Sequence, residues 1–202
     1  MKRIIILLVL VVAAFSIYWF AFRKKGADSG PKQQPLALKK HSEPFNESVS
    51  AAMNAYFEMK NAFVEADTAK AKESCKKFIS LIDTIKLDEL KKDTAIVYQD
   101  AITKAEDIRA NAKSLLLQND ITEMRHDFSW ISEALYPFFK LINYEGPKMY
   151  LQNCPMAFGE DREANWISNS EEIINPYLGK NHPEFKATML HCGSIKDTIK
   201  AQ

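Results

Sequence analysis

Cysteine is scarce, with three in 202 residues. That is too few for a disulfide scaffold, and enough for one bridge with a spare or for part of a metal site. Histidine is nearly as scarce, at four, and no two histidines stand at the helical spacing of a paired metal site. There is no Cys-x-x-Cys pair, no nucleophile elbow and no glycine-rich phosphate loop, so the common signatures of nucleophilic, phosphoryl-transfer and thiol-exchange enzymes are missing. The expectation is a protein that is not an enzyme. An excess of basic charge is missing too. The chain carries 27 Lys and Arg against 26 Asp and Glu. Five of the basic residues, Lys2, Arg3, Arg23, Lys24 and Lys25, flank one apolar run. The remaining 22 basic residues against 26 acidic leave the rest of the chain near −4, the opposite of a nucleic-acid-binding footprint.

What is present begins with that run. Ile4 to Phe22 is 19 residues without a charge, with Ser16 its one distinctly polar side chain and Tyr18 and Trp19 near one end. At 1.5 Å per residue it nearly spans a hydrocarbon core of roughly 30 Å. The alternative is a cleaved signal peptide with Lys2-Arg3 as its basic end and Ala13-Ala14 near the cut, but the apolar stretch continues past any such cut to Phe22. The reading is a single-pass inner-membrane anchor over residues 1–25. Positive charge is close to balanced across it, and the short N-terminal tail places the tail inside and the rest in the periplasm. Residues 26–45 follow as a flexible linker, interrupted by Gly26, Gly30, Pro31, Pro35 and Pro44, with an r.m.s. span of roughly 25 Å. His41 falls in it and is read as solvated.

Residues 46–145 read as four amphipathic helices in an antiparallel up-down bundle. The first starts near Asn46 and carries Val49, Met53, Tyr56, Phe57, Phe63 and Val64 at helical spacing. Asp67-Thr68 caps the second, with Cys75, Phe78, Ile82 and Ile85 as its stripe. Asp93-Thr94 opens the third, with Val97, Ala101, Ala105, Ile108, Ala112 and Leu115 on one face. Asn119-Asp120 caps the fourth, and Glu123 completes a capping box. In that helix Ile121, Met124, Phe128, Ile131, Leu135, Phe138 and Ile142 alternate by three and four, the seam of a bundle. Pro137 lies inside the seam and predicts a kink. Cys75 shares the buried face of its helix and is read as a small core residue. His126 lies off the seam and is read as exposed.

From residue 146 to 202 the helical period stops. Lys148 to Ala157 and Asn165 to Ser168 read as short strands joined around Gly159-Glu160-Asp161, and Met189 to Ile195 as another. The fold class is therefore mostly α, with a transmembrane helix, a four-helix bundle and a small irregular, short-strand C-terminal subdomain packed on it. Two cysteines sit here among soft donors, in Cys154-Pro155-Met156 and Met189-Leu190-His191-Cys192-Gly193. Thiolate, thioether and imidazole together suit Cu(I), drawing on Cys154, Met156, Cys192 and either His191 or Met189. A zinc site would draw on Cys154, Cys192, His191 and His182. In an oxidising compartment the same two cysteines also suit a disulfide. It would close a loop worth roughly 4 kcal/mol of chain entropy. Disulfide and metal exclude each other at any moment, because a metal needs thiolates.

Tyr150, Cys154-Pro155-Met156-Ala157, Trp166, the Asn175-Pro176-Tyr177 turn with Gly179, and Met189 followed by Cys192-Gly193 together resemble an uncharacterised bacterial cell-envelope domain family. The resemblance covers roughly residues 46–198. Members of that domain of unknown function stand alone behind an anchor or signal, or are fused to periplasmic adaptor subunits of heavy-metal efflux systems of the copper/silver type. The resemblance implies an envelope location and a link to soft-metal handling. It makes Cys154, Met156, Met189 and Cys192 the candidate donors and carries no catalytic residue. His191 rests on the residue reading alone. The function expected is a membrane-tethered periplasmic copper-type binding module, accessory to efflux adaptor proteins. The alternative is a disulfide-stapled structural or interaction domain without metal.

Overall fold

The computed structural model describes residues 40–200. The expected anchor and residues 26–39 of the expected linker lie outside the described residues, and Glu43 to Phe45, the end of that linker, are helix. Among the described residues no helix is long and apolar enough to cross a membrane.

Four α-helices come first: α1 (Glu43–Val64), α2 (Thr68–Ile82), α3 (Ala95–Leu117) and α4 (Ile121–Leu141). Three of the four caps stand where the sequence puts them. The side chains of Asp67, Thr94 and Asp120 accept from the backbone N–H groups of the first turns of α2, α3 and α4, each satisfying donors the helix cannot pair itself. Asp120 accepts from both Thr122 and Glu123, at 2.7 and 3.2 Å. The start of α1 differs. Ser42, not Asn46, is its N-cap, and Pro44 sits in the first turn instead of before the helix. Proline's missing N–H and fixed φ suit that position, so it starts a helix as readily as it breaks one.

Between α2 and α3 the chain makes a 3₁₀ helix over Leu87–Lys92 that no periodicity announces. Its one buried side chain, Leu90, is fully enclosed. This turn also corrects the reading of His41, which is buried and not solvated. Its backbone N–H donates to Glu145 at 2.9 Å, its Nε2 lies 2.5 Å from the Ile142 carbonyl, and its ring stacks on Phe45.

The seam of α4 is buried at Met124, Phe128, Ile131, Leu135, Phe138 and Ile142. The helix runs on through Pro137, which is exposed, to Leu141. His126 is half-buried, its ring stacked on Phe158 at 3.7 Å between centroids. The sequence alone could not supply this partner, because Phe158 belongs to the C-terminal segment.

That segment forms a three-stranded antiparallel sheet, β1 (Met149–Cys154), β2 (Ala164–Ser168) and β3 (Ser194–Ile199), in the order β2-β1-β3. The third strand begins five residues later than the sequence suggests. Met189 to Gly193 is turn, with Cys192 N–H donating to the Met189 carbonyl at 3.0 Å. Only after Gly193, at φ +147°, does the chain extend. α4 packs on β2, and one apolar core joins the helices to Met149, Leu151, Trp166, Ile167, Tyr177 and Leu178. Tyr56 of α1 ties the two parts together. Its hydroxyl lies 2.7 Å from Ser132 Oγ on α4 and accepts from Ile167 N–H of β2 at 3.0 Å.

Candidate functional site: a buried pair of sulfurs

Cys154 ends β1 and Cys192 ends the turn that leads into β3, so the central strand delivers one sulfur and the turn before its neighbour the other. Their Sγ atoms stand 3.5 Å apart. Cys154 is fully buried and Cys192 half-buried, which places the pair at the boundary between core and solvent.

Two residues make this approach possible. Gly193 carries a positive φ, and a Cβ there would fall 2.6 Å from the Asn153 carbonyl oxygen and 3.0 Å from the Trp166 ring. Only glycine lets the second sulfur's backbone lie this close to β1. Asn175 is fully buried and uses its whole side chain. Its Oδ1 accepts from Tyr177 and Leu178 N–H at 2.8 and 3.1 Å, and its Nδ2 donates to the Cys192 carbonyl at 2.8 Å. The Asn175-Pro176-Tyr177 turn is thereby bolted to the cysteine turn.

Burial pushes the Cys154 thiol up to about 11, and the neighbouring Cys192 pushes the same way. The backbone N–H of Met156 and the Asn175 side chain oppose them. At neutral pH this sulfur therefore keeps its proton until a metal ion or an oxidant removes it. Cys75, by contrast, is a core residue as its helical stripe predicts. Its Sγ donates to the Ala112 carbonyl at 3.2 Å, and burial holds its thiol up to about 12.

The remaining candidate donors are less gathered. Met156 and Met189 are half-buried against the core. His191 is exposed, with Nδ1 2.8 Å from the Ile173 carbonyl, which leaves Nε2 as its free nitrogen. His182 has its Nδ1 engaged by the N–H groups of Glu184 and Phe185. Among the described residues no group of three or more His, Cys, Asp or Glu is placed to hold a metal ion. Among the described residues the structure brings together two sulfurs and no complete donor set. Two thiolates bound at 2.3 Å to one tetrahedral ion stand about 3.8 Å apart, so the observed separation fits a shared soft ion with little movement. A disulfide at about 2.05 Å needs the sulfurs to close by roughly 1.5 Å.

Arg125 is a site residue that its sequence position next to the α4 seam barely hints at. It is 5% exposed. Its Nε donates to the Pro176 carbonyl at 3.1 Å and its Nη2 to the Phe63 carbonyl at 2.9 Å. It thus clamps the Asn175-Pro176-Tyr177 turn to the end of α1. Gly179 completes the joint, because a Cβ there would meet the Val64 carbonyl at 2.7 Å. Burial lowers the guanidinium to about 10, and Asp120 opposes the shift.

Nothing among curated proteins or solved structures matches this chain. A family model does match, over a shorter stretch than residues 46–198 and short of both cysteines: residues 52–145, from within α1 to just beyond α4, match a family described as a protein of unknown function, DUF3347.

Proposed function

We propose that the protein is a membrane-tethered binding module of the cell envelope that takes up one soft metal ion, Cu(I) by its donor chemistry, on Cys154 and Cys192. The observation that carries this reading is the convergence of two sulfurs, 38 residues apart in sequence, to 3.5 Å at the edge of the core. Met156, Met189 or His191 supplies a third donor. Soft thiolate and thioether ligands select Cu(I) over the harder divalent ions. The anchor over Ile4 to Phe22 and the linker behind it hold the module near the inner membrane on its periplasmic side. There, tethering raises the effective concentration toward membrane partners. An adaptor subunit of a heavy-metal efflux system is the partner we assign, and the module is not an enzyme.

The test is native mass spectrometry of the full chain, reduced and then offered Cu(I). One equivalent of copper taken up by the wild type and lost in Cys154→Ser and Cys192→Ser supports the reading. A reduced protein that ignores Cu(I) ends it.

The same distance favours a second reading, a disulfide that staples the C-terminal segment. In that case the isolated protein is two hydrogens lighter than its sequence. Reduction then lowers its stability by about 4 kcal/mol, with no response to metal.

A further inference from the structure

A pocket of about 460 Å³ opens at the foot of α4, beside the loop that follows Cys154. Its volume falls within the range of roughly 300–1,000 Å³ typical of small-molecule sites. About half of the wall is apolar or aromatic, from Met156, Phe158, Tyr177, Leu178 and Phe185, and the rest is polar. The rings are braced from behind or across. Phe158 is stacked on His126 and set edge-on to Tyr177 at 5.3 Å, and Phe185 is stacked on His182. An aromatic wall held in this way is pre-organised for a flat apolar body.

One cation lines this pocket, Arg125. Its Nε and Nη2 are committed to the Pro176 and Phe63 carbonyls. Among the described residues Nη1 has no acceptor and no carboxylate lies within ion-pair distance of the guanidinium. A nearly buried positive charge satisfied by carbonyls alone retains strong attraction for an anion, because the surrounding medium screens it little. Guanidinium geometry favours a carboxylate. Glu160 and Glu184 also line the pocket and are both exposed. Their charges repel a ligand that carries more than one negative group.

We propose that this pocket binds a small organic monocarboxylate with an apolar, aromatic-sized body, its carboxylate on Arg125 and its body against Phe158, Tyr177 and Phe185. Neither cysteine of the sulfur pair lines this site. Met156, which lines it, lies two residues beyond Cys154.

Isothermal titration calorimetry on the full, detergent-solubilised chain tests this with phenylacetate as the probe, phenylacetamide as its neutral isostere and phenylmalonate as its dianion. Phenylacetate should bind with one equivalent, and the amide and the dianion each at least tenfold more weakly. Thr122 is an exposed residue on the rim, so Thr122→Trp fills the mouth without touching the Arg125 clamp. That variant should lose phenylacetate binding while keeping the wild-type melting temperature. Absence of phenylacetate binding overturns the proposal, as does an amide or dianion that binds equally well. Binding retained by the folded Thr122→Trp protein also overturns it.

Discussion

Lys60 lies on α1 with 5% of its surface exposed and its ammonium 6.0 Å from the centre of the Phe57 ring. No carboxylate pairs with it among the described residues, and burial lowers it to about 8 from an ordinary 10.5. Between those values the unfolded chain holds a proton that the folded chain has released, so this residue's contribution makes stability rise with pH from about 8 to about 10.5. Below pH 8 both states are charged, and the folded state bears the full cost, about 3 kcal/mol at 1.36 kcal/mol per pH unit. Lys60→Met should therefore be more stable than wild type at pH 7, and the gap should narrow as pH approaches 10. Urea midpoints of both proteins at pH 7 and pH 10 measure this, and a gap that stays constant removes the account. Gly193 is a second residue whose role is local and steric. Gly193→Ala puts a Cβ 2.6 Å from the Asn153 carbonyl oxygen in a backbone conformation that L residues avoid. The variant should lose about 1–3 kcal/mol. It should also react with a bridging dithiol reagent such as phenylarsine oxide more slowly than wild type, because its sulfurs no longer face each other at 3.5 Å. Equal stability and equal reactivity would show that the turn tolerates a side chain and that Gly193 does not set the pair.

Among the elements, α4 does the most to join the parts. Phe128 sits at its centre, fully buried, among the rings of Tyr56, Phe63 and Tyr177. Several polar contacts link helices and sheet, Lys140 with Asp197 and Asn165 with Glu133 among them, and the Tyr56 hydroxyl is the one that accepts from a buried strand amide. Tyr56→Phe keeps the ring packing, deletes the acceptor for Ile167 N–H and leaves that buried donor unpaired. The loss should be about 1–3 kcal/mol, read from urea unfolding. The Ile167 amide should lose its hydrogen-exchange protection before the α2 and α3 amides do, and protection unchanged at Ile167 would rule the link out. The α4 seam and the Asp67, Thr94 and Asp120 caps are legible in the sequence because period and cap chemistry are local properties. The sulfur pair is legible only as a pair, since two cysteines among soft donors look the same to a metal and to a disulfide. The 3₁₀ helix, the late start of β3 and the burial of His41 are not legible. Each depends on a partner distant in sequence: Leu90 on the core it enters, the turn before Ser194 on the Asn153 carbonyl that Gly193 approaches, and His41 on the carbonyl of Ile142. Arg125 is hidden for the same reason, because its acceptors are backbone carbonyls 62 and 51 residues away, and carbonyls leave no mark in a sequence.

For the molecule as a whole, the matched family segment ends at residue 145, whereas the apolar core does not. Trp166 and Tyr177, both fully buried, enter the same core as Phe63 and Phe128. The Arg125 clamp and the Tyr56 hydroxyl cross the boundary as well. Helices and sheet thus share their interior, and neither covers its own apolar face. Chemical unfolding should accordingly follow one transition, with far-ultraviolet dichroism, which reports the helices, coinciding with tryptophan fluorescence, which reports the sheet through Trp166 once both other tryptophans are replaced in a Trp19→Phe, Trp130→Phe background. Trp130 is 60% exposed, so its replacement costs little. A fragment that stops at residue 145 uncovers the faces against which Trp166, Ile167 and Tyr177 pack. It should keep helical dichroism while losing near-ultraviolet structure and binding a hydrophobic dye, the signature of a helical state without fixed packing. If that fragment instead unfolds cooperatively and binds no dye, the matched segment is a domain in its own right. The sheet with its two cysteines would then be an appendage whose redox or metal state cannot be felt by the helices. If the fragment behaves as the shared core requires, closing or metallating the sulfur pair acts on the stability of the entire described fold, because β1 and β3 are held against α1 and α4 by the same buried rings.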